Sequence, residues 1–227
     1  MSESNEEQFT HHPQRVWTAQ TWLGSETLES VAELNDQCLE LLMEEAKSCD
    51  MPTGHPLVAD LRDLWMALDA SARRRASNCP YLLVDSGFVH VQRWAWVRGH
   101  HVRDEERTTQ TKFFNSQKAV AVGRLVLTYA WHLARSQNTA ARLLLGMSGQ
   151  CAELIAACSI NQIHELAEAH PEWLQPRWPG HLRVWRELLT TAISGESPEL
   201  EQARTRGLQL LAAEVRLGGP LPPAPFG

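Results

Sequence analysis

The chain has 227 residues, enough for one sizeable core or two small ones, and its 43% hydrophobic and 21% charged residues are an ordinary globular balance. A formal charge of -6 removes the signature of a strongly basic nucleic-acid-binding domain and leaves only a local basic face, densest over residues 73–107, where seven arginines face four acids. Five cysteines with no C-x-x-C pair, behind an acidic MSESNEEQ opening, read as a reduced, cytoplasmic chain and not as a secreted disulfide scaffold.

In chain order, residues 1–15 are polar and predict a loose tail. Leu28, Val31, Leu34, Cys38, Leu41 and Leu42 then recur at helical spacing, followed by Leu57, Leu61, Leu64, Trp65, Leu68 and Ala72 in a second helix. Asp50–Gly54 would turn one into the other. Pro80 ends the second helix, because proline lacks the amide donor. Residues 81–98 then predict a short extended or β segment, since aromatic and β-branched residues cluster there without clear helical spacing. From residue 115 the helical pattern resumes, over 115–136, 139–147, 149–158, 160–170, 180–194 and 198–216. The most apolar run, 119–134, contains Arg124 and His132 and falls short of the roughly 20 apolar residues of a membrane span, so no membrane anchor is expected. Residues 218–227 are Pro/Gly-rich and predict a second loose tail. No internal repeat and no low-complexity block stands out. The fold class is therefore mainly α, a multi-helix protein. A polar run near residue 110 divides a helical unit, 16–110, from a second, 111–217, and a single continuous core is the alternative.

Grouped ionisable residues of the kind enzymes need are missing from the sequence. There is no Walker loop, no G-x-G-x-x-G, no H-E-x-x-H and no G-x-S-x-G, so neither an enzyme nor a cofactor is expected. The pairs His11-His12 and His100-His101 have no Cys or carboxylate at a ligand spacing, and no metal site is expected. Cys79 beside Arg73, Arg74 and Arg75 has two readings, an activated thiolate or a small buried hydrophobe. The same arginines either bind an acidic or phosphate-bearing partner or complement a helix C-terminus. With Trp94 and Trp96 they form the candidate patch of an alternative reading, an adaptor that binds a protein or small ligand through residues 73–107. The tryptophans near helix breaks (Trp94, Trp96, Trp173, Trp178, Trp185) suit stacking on a base or sugar, or packing at a core or subunit seam.

Residues 139–170 carry the outline of a helix-turn-helix. Gly146 supplies backbone freedom, Ser148 can cap the middle helix, and Ser159 with Gln162 fits a capping box for the next. The exterior of that last helix offers Asn161, Gln162, His164, Glu165 and Glu168, a poor match to phosphates.

From Leu125 onward, a long apolar helix is followed by A-x-x-x-L-G-hydrophobic (Ala141 to Met147) and a small-residue helix around Ala152 to Ala157. Then come S-hydrophobic-x-Q-hydrophobic-x-x-L-A-E (Ser159 to Glu168) and Arg177-Trp178. This series resembles the FlhD family, the D subunits of the bacterial flagellar master transcription activator, over about residues 115–190. The resemblance implies an all-α homodimeric regulatory subunit. Such a subunit works with a second, DNA-contacting protein and reads DNA weakly or not at all alone. Arg142, Gln162, His164, Arg177 and Arg183 are then the candidate partner or DNA contacts. Leu174 stands where the family pattern carries a cysteine, so no intersubunit disulfide is implied, and residues 1–110 have no match in the family.

Overall fold

The computed structural model describes residues 24–48, 55–99 and 112–218. The expected loose tail at 1–15, the turn at Asp50–Gly54, both histidine pairs and the polar run near 110 lie outside the described residues, as does 219–227. The protein is mainly helical, with eleven α-helices among the described residues. They are α1 (Ser25–Ser48), α2 (Pro56–Ala59), α3 (Arg62–Ala67), α4 (Ala70–Ser77), strand β1 (Val84–Asp85) and α5 (Val91–Gly99). There follow α6 (Gln117–Ser136), α7 (Asn138–Leu144), α8 (Gly149–Ala156), α9 (Ile160–Ala169), a 3-10 turn (Pro171–Trp173) and strand β2 (Gln175–Pro176), then α10 (Leu182–Ser194) and α11 (Ser197–Leu217). β1 and β2 pair antiparallel, Val84 opposite Pro176 and Asp85 opposite Gln175.

Capping chemistry sets several of the breaks. The Ser148 hydroxyl accepts from the Cys151 amide, and Ser159 and Gln162 form a complete capping box at the start of α9. Between α7 and α8, Gly146 has φ 64°, and the Leu211 and Arg177 side chains fill the space a Cβ would need. The single helix expected over Leu57 to Ala72 is three short ones. His55 caps the first through Nδ1, Asp69 caps the third by accepting from the Ala72 amide at 2.7 Å, and the chain bends between them. The extended segment expected over 81–98 is also corrected. Only Val84–Asp85 is strand, and 91–99 is helix, burying Trp94 and Val97 three residues apart on one face.

The structure contains a repeat that the sequence reading missed. Helices α1 to α4, β1 and α5 form one unit; α6 to α9, β2 and α10 form a second with the same order of elements. The residue pairs Pro80/Pro171, Leu83/Leu174, His90/His181 and Trp94/Trp185 are identical and all 91 positions apart. In the long first helices the correspondence is 88 positions. Val31, Leu34, Asn35, Cys38, Leu39, Leu42 and Ala46 are buried in α1, and the residues 88 positions later are all buried in α6. Equivalent positions also meet equivalent neighbours: the Asn35 amide oxygen accepts from Leu83 N at 2.7 Å, while Gly123 lies against Leu174. Only a few identities survive, and the two registers differ, so periodicity alone gives no repeat signal.

Within each unit the long helix packs on the short ones, and one hydrophobic cluster runs through both units from Val31 to Leu211. α11 has no counterpart among the described residues of the first unit. It packs on α10, and its Gly207 faces the Tyr81 phenol so closely that a Cβ there would overlap the ring. None of the described helices is long and apolar enough to cross a membrane.

Candidate functional site at the junction of the units

Buried polar chemistry gathers where the two strands meet. After β1 the Asp85 carboxylate accepts from the amides of Gly87 (2.9 Å) and Phe88 (3.2 Å), fixing a turn in which Gly87 has φ 76°. The His90 amide donates to Gly87 O at 3.0 Å, α5 begins, and Trp94 Nε1 returns to Gly87 O at 2.9 Å. The second unit repeats the device. The His181 amide donates to Trp178 O at 2.9 Å, and Trp185 Nε1 donates to Arg177 O at 2.8 Å. At the position equivalent to Gly87 stands Trp178, with φ 51°. A left-handed conformation costs a bulky L-residue about 1–2 kcal/mol, and here packing supplies the offset, for the indole lies buried against Tyr81 with ring centroids 5.7 Å apart.

Arg177 fills the junction. Only 2 % exposed, it donates from Nε to Leu82 O (2.9 Å) and from Nη2 to Leu145 O (2.8 Å) and Val84 O (3.2 Å). Its Nη1 donates to Glu214 Oε2 at 3.1 Å. Burial pushes the Glu214 carboxyl above the usual range, with Arg177 opposing that shift. Main-chain bonds close the seam, from Leu82 N to Leu144 O and from Ser148 N to Phe88 O. Beside this knot is a cavity of about 270 Å³, lined by Asp85, His90 and Arg93 of the first unit and by Trp173, Trp178 and His181 of the second. Trp173 Nε1 and His181 Nε2 are buried there without a hydrogen-bond partner.

The structure separates the candidate contact residues into two kinds. Arg142 on α7 and Arg183 on α10 are exposed, and His164 is half-buried on α9. Arg177 is corrected from a surface contact to a structural residue, because four internal acceptors occupy its donors. Gln162 is likewise engaged at both ends of its amide, Oε1 accepting from Ser159 N and Nε2 donating to Val97 O across the unit boundary. The alternative patch does not assemble. Trp94 is fully buried, and Trp96 is half-buried edge-on to His170. Arg73 pairs with Asp36 and Glu40, Arg75 donates to Ala192 O and Ser71 Oγ, and of the three arginines only Arg74 is exposed. The tryptophans near helix breaks pack: Trp94 edge-on to Trp173 and Trp185 against Trp65.

Sequence reasoning missed Asn35, which donates to Ser77 O and Tyr81 O and so ties α1 to the approach to β1. It also missed Glu214. Each is a polar residue inside an apolar helical stripe, a signal visible in VAELNDQCLELL and LLAAEV. The nucleophile reading of Cys79 is overturned: burial pushes its thiol up to about 11, whereas a thiolate needs a lowered pKa. Cys38, Cys79, Cys151 and Cys158 are all buried free thiols. In native buffer these four are expected to resist a thiol reagent and to react only after denaturant is added. Rapid native modification of Cys79 in a mass-mapped time course would contradict that burial. Among the described residues no group of His, Cys, Asp and Glu could hold a metal ion. No protein-family model matches the chain, and neither a curated protein nor a solved structure is similar to it.

Proposed function

We propose that this chain is a transcription-regulatory subunit of FlhD type that acts in the bacterial cytoplasm through a DNA-contacting protein partner. The observation that carries the reading is α8–turn–α9, whose two helices start on the serine caps, Ser148 and Ser159, of the motif series that resembles the family. The same helices argue for dependence on a partner. The outer face of α9 presents Asn161, Glu165 and Glu168, Gln162 is locked into its capping box, and the whole chain carries -6. Phosphate binding draws on Lys and Arg, which release counterions from DNA, and this helix offers none. Arg142 and Arg183 are the exposed cations left from the candidate set, and each suits an acidic patch on a protein.

Affinity capture from native extract with the full chain, followed by mass spectrometry, tests this. Recovery of a DNA-binding protein, weakened by Arg142→Glu or Arg183→Glu, is the expected result. In a mobility-shift assay the chain alone should form no salt-sensitive complex with DNA. A complex that forms without any partner and weakens steeply with salt would overturn the dependence on one.

A further inference from the structure

The two units meet as the subunits of a two-fold dimer meet. In such an isologous contact, an element on the axis touches its own copy, and an element off the axis touches a different one reciprocally. Both patterns are present. α1 packs on α6, its counterpart, and β1 pairs with β2, its counterpart, antiparallel about a centre between Val84/Asp85 and Gln175/Pro176. Off the axis, α5 of the first unit packs on α8 of the second, while α10 of the second packs on α3, the counterpart of α8, in the first. Each unit thus lends its last helix to the other's core: Trp185 of α10 lies against Trp65 of α3, and Trp94 of α5 against Trp173. The junction cavity draws residues from both units, so neither unit forms it alone.

We infer that this protein is a dimer contained in one polypeptide: residues 25–99 are the built-in partner of residues 117–194, and the surface through which two copies would pair is already filled. The homodimer expected from the family resemblance is replaced by an internal one, and the inference stands without the regulatory reading. Joining the units in one chain has also allowed them to diverge. Among the described residues α11 has no copy in the first unit, and it crosses to that unit through Gly207 and Arg204, which donates to Arg75 O. Exposed Arg74 of α4 and exposed Glu165 of α9 hold equivalent positions, 91 residues apart, with opposite charge. The molecule therefore presents two unlike faces where a homodimer would present one face twice.

Light scattering on the full chain is expected to give the mass of one chain, 25.6 kDa, across micromolar concentrations. A second arm inserts a protease site between Gly99 and Lys112 of the full chain and cuts it under native conditions. The two fragments should remain together as a one-to-one particle with unchanged helicity, because their contacts and not the connection hold them. A persistent dimer of full chains overturns the inference, and so do cut fragments that separate or precipitate. Neither readout depends on DNA or a regulatory partner, so failure here is distinct from failure of the capture experiment.

Discussion

Replacing Arg177 with methionine is expected to lower the stability of the fold by about 3–5 kcal/mol, the usual cost of breaking a buried, hydrogen-bonded ion pair from one side. Methionine fills much of the volume of the arginine stem but donates nothing, so the carbonyls of Leu82, Val84 and Leu145 and the Glu214 carboxylate lose their shared donor. Three parts of the chain converge on that guanidinium: the approach to β1, the end of α7 and the end of α11. Loss of the side chain should therefore loosen the junction as a whole. For a chain of this size each kcal/mol moves the melting temperature by about 2–4 °C, a change that calorimetry or urea unfolding resolves easily. The pH dependence has a definite sign. Burial already raises the Glu214 carboxyl above its ordinary 4.5, and Arg177 is the group that opposes the rise. Without Arg177 the folded state binds the Glu214 proton still more tightly than the unfolded state. A carboxyl raised in the folded state contributes stability below its unfolded pKa and loses it as pH rises through the folded one. The deficit of Arg177→Met against the parent should widen as pH rises above about 4.5, and adding Glu214→Gln should remove the widening. A deficit under about 1 kcal/mol, in the range of a surface ion pair, would mean that the guanidinium is not the tie its contacts indicate.

Truncation of Trp185 to alanine should cost about as much, roughly 3–5 kcal/mol, for a different reason. The indole is 2 % exposed, it lies 5.8 Å from the Trp65 ring centroid across the unit boundary, and its Nε1 satisfies Arg177 O. Alanine leaves a cavity in a seam built from both units, and the interlocked rings resist collapse into it. Trp185→Phe keeps most of the ring and loses the hydrogen bond, so its cost should be smaller, about 1–3 kcal/mol. Combined with Trp65→Leu in a double-mutant cycle, Trp185→Leu should show a coupling of about 0.5–1.5 kcal/mol, the range of aromatic pairs. Additive effects would show that the rings, although close, do not join the units energetically.

The helices of the second unit were legible because the information is local. Ser148, and Ser159 with Gln162, satisfy amides within three residues of themselves, and the apolar stripe of α6 follows the helical period wherever the helix is placed. The segment VQRWAWV was less legible. Its apolar residues fit alternation as well as a spacing of three, and it is helix because α8 offers a surface for Trp94 and Val97. Much the same holds for the arginines. Arg177 and Arg183 are both cations on the flanks of an aromatic run, and nothing within a few residues of either tells which one lies inside.

By itself, then, the sequence determined the mainly helical class, the serine caps, and the packing of small and apolar residues into stripes, since each depends on groups a few bonds or one helical turn apart. The tertiary structure alone decided which partner each stripe meets. It placed Arg177 among carbonyls from Leu82 to Leu145, exchanged α5 and α10 between the units, and aligned Pro80 to Trp94 with Pro171 to Trp185. Burial and pairing between residues some ninety positions apart are set by the shape of both surfaces together, and no local stretch of either surface contains the other.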